Sequence, residues 1–227
     1  MSALNKIKEI FRLPTVTIQL GNEPADKKLF ESFNSRHPRL FLVRKKTVGV
    51  GLIDCSTFSS AADYTASVNG KNSAAYFSRK AVRAGYRFES IDANRYADAI
   101  HAIHHSAEAR QGIPLDKNYL KKIENYPSDH RHQFFGVFNN NELVAYLWIV
   151  ISGQVRIMNR IMGHADHLKD GVMYLLVTSF VENLIGRREA DLPLYVMYDT
   201  MLGASGGLRM FKERCGFRPY RVKWMQG

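Results

Sequence analysis

PLYVMYDTMLGASGGLRMFKERCGFRPYRVKW, residues Pro193 to Trp224, holds the elements around which the chain is organised. Leu194 to Tyr198 is β-branched and aromatic, which predicts a strand ending at Asp199. The segment from Gly203 to Gly207 is a glycine-rich turn that no regular element would tolerate. Leu208, Phe211 and Cys215 then recur at steps of three and four and make one helical face. Arg209, Lys212, Glu213 and Arg214 take the other face, and Gly216 supplies the left-handed residue that ends the helix. Tyr220, Val222 and Trp224 alternate with Arg221 and Lys223, the period of a half-buried closing strand.

Upstream of this unit, Gly171 to Ile185 reads as a helix that is apolar on nearly every face and must therefore pack against a sheet. A loop at Gly163 to Asp170 precedes it. Gln133 to Phe138, Glu142 to Ile151 and Val155 to Met162 are strands, joined by the turn sequences Asn139-Asn140-Asn141 and Ser152-Gly153-Gln154. Tyr86 to Ile91 is a strand, Arg95 to Ala107 a helix and Leu115 to Ile123 a second short helix. The order from Tyr86 to Trp224 is β-α-α-β-β-β-α-β-α-β.

The first 85 residues add further elements. Leu4, Ile7, Ile10 and Phe11 space as an apolar helical face beside Lys6, Lys8 and Arg12, suited to docking on the domain, on a partner subunit or, through residues 4–12, on an anionic membrane surface. Thr15 to Leu20 alternates as a strand, and Ala25 to Phe33 reads as a helix. Leu40 to Val43 and Val48 to Ile53 read as a hairpin across Arg44-Lys45-Lys46. Small polar residues from Ser56 to Gly70 predict a loop. Asn72 to Arg83 then forms a helix with Phe77, Ala81 and Ala84 inward and Arg79, Lys80 and Arg83 elsewhere, a candidate phosphate or RNA contact.

With 227 residues, 45% of them hydrophobic, the chain can bury a large core. It lacks a run of about 18 apolar residues and the apolar core of a signal peptide, so the expected location is cytoplasmic. Cys55 and Cys215 are too few for a disulfide framework and read as reduced, buried thiols. Net charge is +11, with 15 Lys or Arg against 7 Asp or Glu in residues 1–90 and 17 against 14 in the remainder. The positive field therefore belongs to the front of the chain and attracts phosphates, nucleic acid or anionic lipid without choosing among them.

Gly-Leu-Arg-Met-Phe-Lys-Glu-Arg-Cys-Gly-Phe, residues 207–217, followed by a strand, resembles the carboxy-terminal signature of the GNAT acyltransferases. The Phe211-Lys212 pair is more similar to the Fem-type branch, whose members attach amino acids to peptidoglycan precursors, and the basic, alanine-containing helix closed by Gly85 resembles that branch too. The element order is the GNAT order. This resemblance implies an α+β fold with a mixed sheet and splayed central strands, in which residues 1–85 are an N-terminal extension and 86–227 the acyltransferase domain. It implies an N-acyltransferase that moves an acyl group from acyl-CoA or a related thioester to an amine on a small molecule or peptide. A Fem-like enzyme using aminoacyl-tRNA is the alternative, and a non-catalytic module applying its basic face to nucleic acid or membrane is a reading from another class.

The resemblance also distributes roles. It places the donor's pyrophosphate at the loop and helix start that here comprise Gly163, Lys169, Asp170, Gly171 and Val172, although the family's glycine-rich pyrophosphate motif is missing. Acceptor binding falls to Arg110 and Gln111 in the two-helix connection, and to Tyr220. The family's catalytic tyrosine position is Phe211, so Lys212 is the candidate holder of oxyanion charge, with Tyr198 and Asp199 at the adjoining strand end. His164 is a candidate proton acceptor, because an imidazole titrates near neutrality. His164 and His167, with Asp166 between them, invite a metal, yet no third ligand has convincing spacing, so no metal is expected.

Overall fold

A computed structural model describes residues 12–36, 44–107, 109–110, 113–114, 120–187, 194–202 and 204–227, the two short pairs by backbone alone. In chain order the elements begin with β1 (Thr15–Gln19), α1 (Pro24–Asn34), β2 (Val48–Asp54), α2 (Ala61–Ser67), α3 (Ala74–Arg83) and β3 (Tyr86–Ser90). They continue with α4 (Ala97–His105), β4 (Ala109–Arg110), β5 (Ile113–Pro114), β6 (His132–Asn139), β7 (Glu142–Ser152) and β8 (Val155–Gly163). The last are α5 (Val172–Gly186), β9 (Tyr195–Thr200), α6 (Gly206–Arg214) and β10 (Arg218–Met225). The described residues within 1–56, 151–157 and 191–227 form one compact unit, and those within 57–150 and 158–190 form another.

The first unit is a mixed sheet in the order β1, β10, β2, β9 and the opening residues of β8. β1 runs parallel to β10, β2 is antiparallel to both β10 and β9, and β9 is parallel to β8. The alternation read in the sequence has its physical basis here. Val222 and Trp224 are buried with Ile18, Leu20, Val50, Leu52, Val155, Tyr195 and Met197, whereas Lys223 faces solvent. Phe33 of α1 closes this core, its ring centroid 4.8 Å from that of Trp224. Pro24 opens α1 and Asp26 fixes its start, accepting from the Glu23 amide (3.1 Å) and the Ser152 hydroxyl (2.6 Å). A buried carboxylate is tolerable only when its oxygens are satisfied in this way.

The ladder between β8 and β9 is short. It joins Val155 to Tyr195, Arg156 to Val196 and Ile157 to Met197, although β8 continues to Gly163 and β9 to Thr200.

The second unit has the order β8, β7, β6, β3, with antiparallel pairing of β6 to both β7 and β3. The Asn139–Asn141 turn forms as read, with Asn140 left-handed (φ 53°). α5 is buried through Val172, Leu175, Leu176, Phe180 and Val181, which explains its lack of a polar face, and it packs on β3, β6, α2 and α3. A separate core gathers Ile100, Ile103, Tyr126, Phe134, Phe138, Leu143, Tyr146 and Met162.

Several local expectations are corrected. Residues 56–70 contain α2 rather than a continuous loop: the Ser60 hydroxyl caps the Asp63 amide and Tyr64 is fully buried, so a cap and one aromatic anchor stabilise a helix too short to stand alone. In α3 the buried positions are Ala74, Ala75 and Ala81; Ala84 is exposed, and Phe77 is half-buried, stacked on Tyr174 at 4.9 Å. Residues 93–96 form a 3-10 turn before α4, and Ala165–Asp170 is another where a loop was expected. The amphipathic segment read over residues 4–11, the strand at 40–43 and residues 115–119 of the second short helix lie outside the described residues. Among the described residues no helix is long and apolar enough to cross a membrane.

Candidate functional site

In the first unit, three predicted residues meet at the end of β9. Leu52 pairs with Met197 and Val50 with Thr200, so Tyr198 and Asp199 together oppose Gly51 and form a bulge. Asp199 is left-handed (φ 51°), a conformation that aspartate tolerates better than most side chains. Gly51 permits the close approach, since a Cβ there would lie 3.1 Å from the Tyr198 carbonyl oxygen. The bulge turns the Asp199 carboxylate onto its own neighbour's backbone, where Oδ1 accepts from the Thr200 amide at 2.7 Å, and onto the Lys46 ammonium, which donates to the same oxygen. Lys46 is itself held through its carbonyl by the Trp224 indole N–H. Residues in such bulged, positive-φ positions are found disproportionately at functional sites.

Lys212 corrects the expectation of a solvated helix face. It is 1% exposed, on a buried stripe of α6 shared with Cys215 and half-buried Leu208, while Phe211 is also half-buried. Positions 211 and 212 both lie within a broad apolar arc, and local spacing cannot choose between them. The Lys212 Nζ donates to the Thr200 carbonyl at 2.9 Å and stands 4.4 Å from the Tyr198 ring centroid, a cation–π contact. Phe217 meets the same ring at 5.8 Å. Burial pushes the Lys212 ammonium down from its ordinary value to about 8; the Asp199 charge acts upward and the Lys46 charge downward. The site therefore holds a desolvated cation, a carboxylate and a second, partly exposed ammonium. Cys215 beneath it is fully buried, and burial pushes its thiol up, out of the range of a reactive thiolate.

His164 and the residues from Gly163 to Val172 lie in the second unit. His164 caps the 3-10 turn, its Nδ1 accepting from the Asp166 amide at 3.4 Å. Gly171 is left-handed (φ 87°) and starts α5 against α3, where a Cβ would come 2.6 Å from the Phe77 carbonyl oxygen. Gly171 and Val172 are buried, and the Asp170 carboxylate beside them accepts from Tyr86 Oη at 2.9 Å. Lys169 is exposed, and its carbonyl accepts from Lys80 Nζ at 3.2 Å. This helix start carries an aspartate and buried backbone, a poor match for a pyrophosphate.

Tyr86 was not singled out by the sequence, yet its hydroxyl also lies 2.7 Å from His167 Nδ1. Burial, then the bond to Asp170 and its charge, push the phenol up to about 12, so it is protonated and donates to Asp170. His167 must then be the donor to Tyr86 through Nδ1–H. Lys46 was likewise missed as a site residue; its signal was its place in the charged Arg44-Lys45-Lys46 segment. Tyr220 is half-buried on β10 opposite Val50, and burial, then the Asp54 charge, push its phenol up against the lowering charge of Arg218. Arg110 pairs by its backbone with Ile113, and Gln111 lies outside the described residues. Among the described residues no group of three or more His, Cys, Asp or Glu could hold a metal ion.

No protein-family model matches the sequence, and no curated protein matches it. Solved structures do. FemX is similar over 76% of this chain and 59% of its own, with 9% identity and a TM-score of 0.58. The C-terminal domain of a protein described as a lysylphosphatidylglycerol synthetase, from Agrobacterium fabrum, is similar over 77% of this chain and 58% of its own, with 14% identity and a TM-score of 0.51. The chain thus spans somewhat under three fifths of each of these two structures. At these identities the likeness is one of fold alone, shared with FemX and with that synthetase domain.

Proposed function

We propose that this protein is an N-acyltransferase that moves an acyl group from an acyl-CoA or related thioester to an amine. The observation that carries the reading is Lys212, a buried ammonium fixed by the Thr200 carbonyl beside Asp199. Attack of an amine on a thioester carbonyl places negative charge on oxygen, and a desolvated cation held in advance stabilises that charge far more than one in water. Asp199 orients the incoming amine and relieves it of a proton. Collapse of the intermediate breaks the carbon–sulfur bond, and the departing thiolate takes up a proton. The test is turnover of a panel of acyl-CoAs with simple amines by the full chain, compared with Lys212→Met. Loss of turnover in that variant is expected, and equal turnover would remove Lys212 from the chemistry.

A second reading, an aminoacyl ester donor such as charged tRNA, is favoured by a specific observation. The α5 start offers the Asp170 carboxylate and the buried Gly171 and Val172 where a CoA pyrophosphate would be sought. Likeness to FemX and to a lysylphosphatidylglycerol synthetase domain supports the same direction. A salt-sensitive complex with charged tRNA, without binding of any acyl-CoA, would select it.

A further inference from the structure

The Lys46 Nζ occupies the place on Asp199 where the proposed reaction needs its acceptor amine. Both partners are accessible, with side chains 30% and 58% exposed, and Lys212 lies close enough for each charge to shift its titration. Trp224 anchors the Lys46 backbone from β10, so the ammonium is delivered by a fixed point and not by a wandering loop end. A primary amine on a carboxylate beside a buried cation is the arrangement that acceptor attack requires.

We infer that Lys46 is itself an acyl acceptor: the protein acylates its own Lys46 Nζ, and this self-modification controls the site. The inference rests on the acyltransfer reading above. The Lys46 ammonium gives one proton to Asp199, and its nitrogen attacks the thioester carbonyl carbon. A carbon–nitrogen bond forms and the oxygen takes negative charge beside Lys212. The carbon–sulfur bond then breaks; the thiolate receives the proton from Asp199, the nitrogen loses a second proton to water, and a neutral secondary amide remains on Lys46. An ester donor follows the same course with an alcohol as leaving group.

The consequence is electrostatic. Acylation removes the Lys46 charge, which acts to lower the Lys212 titration, and leaves the Asp199 charge, which acts to raise it. Lys212 becomes more firmly protonated, and Asp199 is freed for an external amine. The modification converts a self-blocked site into an open one.

The experiment incubates the full chain with acetyl-CoA and longer acyl-CoAs in one arm and with charged tRNA in another, then reads peptide masses over time. Exposed Lys28 and Lys223 report unassisted acylation within the same molecule. The expected result is Lys46 acylation at least about tenfold faster than at either reference lysine, falling to their rate in Asp199→Asn. Asparagine tolerates the left-handed conformation at 199, so that variant keeps the bulge. Lys46→Arg keeps the charge and takes no acyl group. Acylation of Lys46 at the reference rate, or unchanged in Asp199→Asn, overturns the inference. Transfer to an added amine in the same samples is scored separately, so the acyltransfer reading can stand while this inference falls.

Discussion

Replacing Lys212 with methionine keeps an unbranched side chain, one atom shorter, and removes its charge, which isolates the cost of burying an ammonium at the end of β9. In the folded protein the group titrates near 8 against an ordinary 10.5. At about 1.4 kcal/mol per pH unit, the charged form is disfavoured in the fold by about 3 kcal/mol. The sign follows from proton counting. Between pH 8 and 10.5 the unfolded lysine holds its proton and the folded one has released it, so stability from this group rises with pH across that window. Below pH 8 both states are protonated and the full cost is present. Lys212→Met also leaves the Thr200 carbonyl without its donor, a loss of about 1–3 kcal/mol that does not depend on pH. Only the change with pH is diagnostic. Urea unfolding of wild type and variant at pH 7, 8, 9 and 10 should show the stability difference moving by about 2–3 kcal/mol toward the wild type as pH rises. A difference constant within error would refute the desolvation of Lys212 and with it the electrostatic basis of the proposed oxyanion site. Wild-type turnover should fall above about pH 8 as the same proton is lost.

Asp199→Gly relieves a left-handed residue and removes a partly exposed ion pair worth at most about 1 kcal/mol, so it should leave thermal stability unchanged or slightly higher while abolishing transfer. Tyr86→Phe removes the hydroxyl shared by His167 and Asp170 and should cost about 1–3 kcal/mol in chemical denaturation. The same variant should weaken the Nδ1–H form of His167, which long-range proton–nitrogen NMR would detect directly. Gly171→Ala combines a positive φ with a 2.6 Å approach to the Phe77 carbonyl and should destabilise the chain by at least about 2 kcal/mol, read as a fall in Tm.

The elements were legible because their causes are local. Alternation in Tyr220–Trp224, the apolar run of Gly171–Ile185 and the Asn139–Asn141 turn each contain their own explanation, and the succession of such segments was enough for the GNAT order. α2 was missed for the complementary reason. Its seven residues are too few to hold a helix by themselves, and what holds them is a buried Tyr64 and packing on α5, about a hundred residues later in the chain.

By itself the sequence determined most of the stretches that become helix or strand, the basic front of the chain, and the placing of Tyr198, Asp199 and Lys212 around one turn. Tertiary structure alone decided that Lys212 is buried, that Asp199 sits in a bulge, and that its ammonium partner is Lys46, 153 residues away. The reason is that backbone periodicity responds to near neighbours, whereas the charge state and partners of a side chain depend on which distant segments exclude water from it. For Lys212 that segment is β9, through the Tyr198 ring and the Thr200 carbonyl, and no spacing rule within residues 206–214 encodes it.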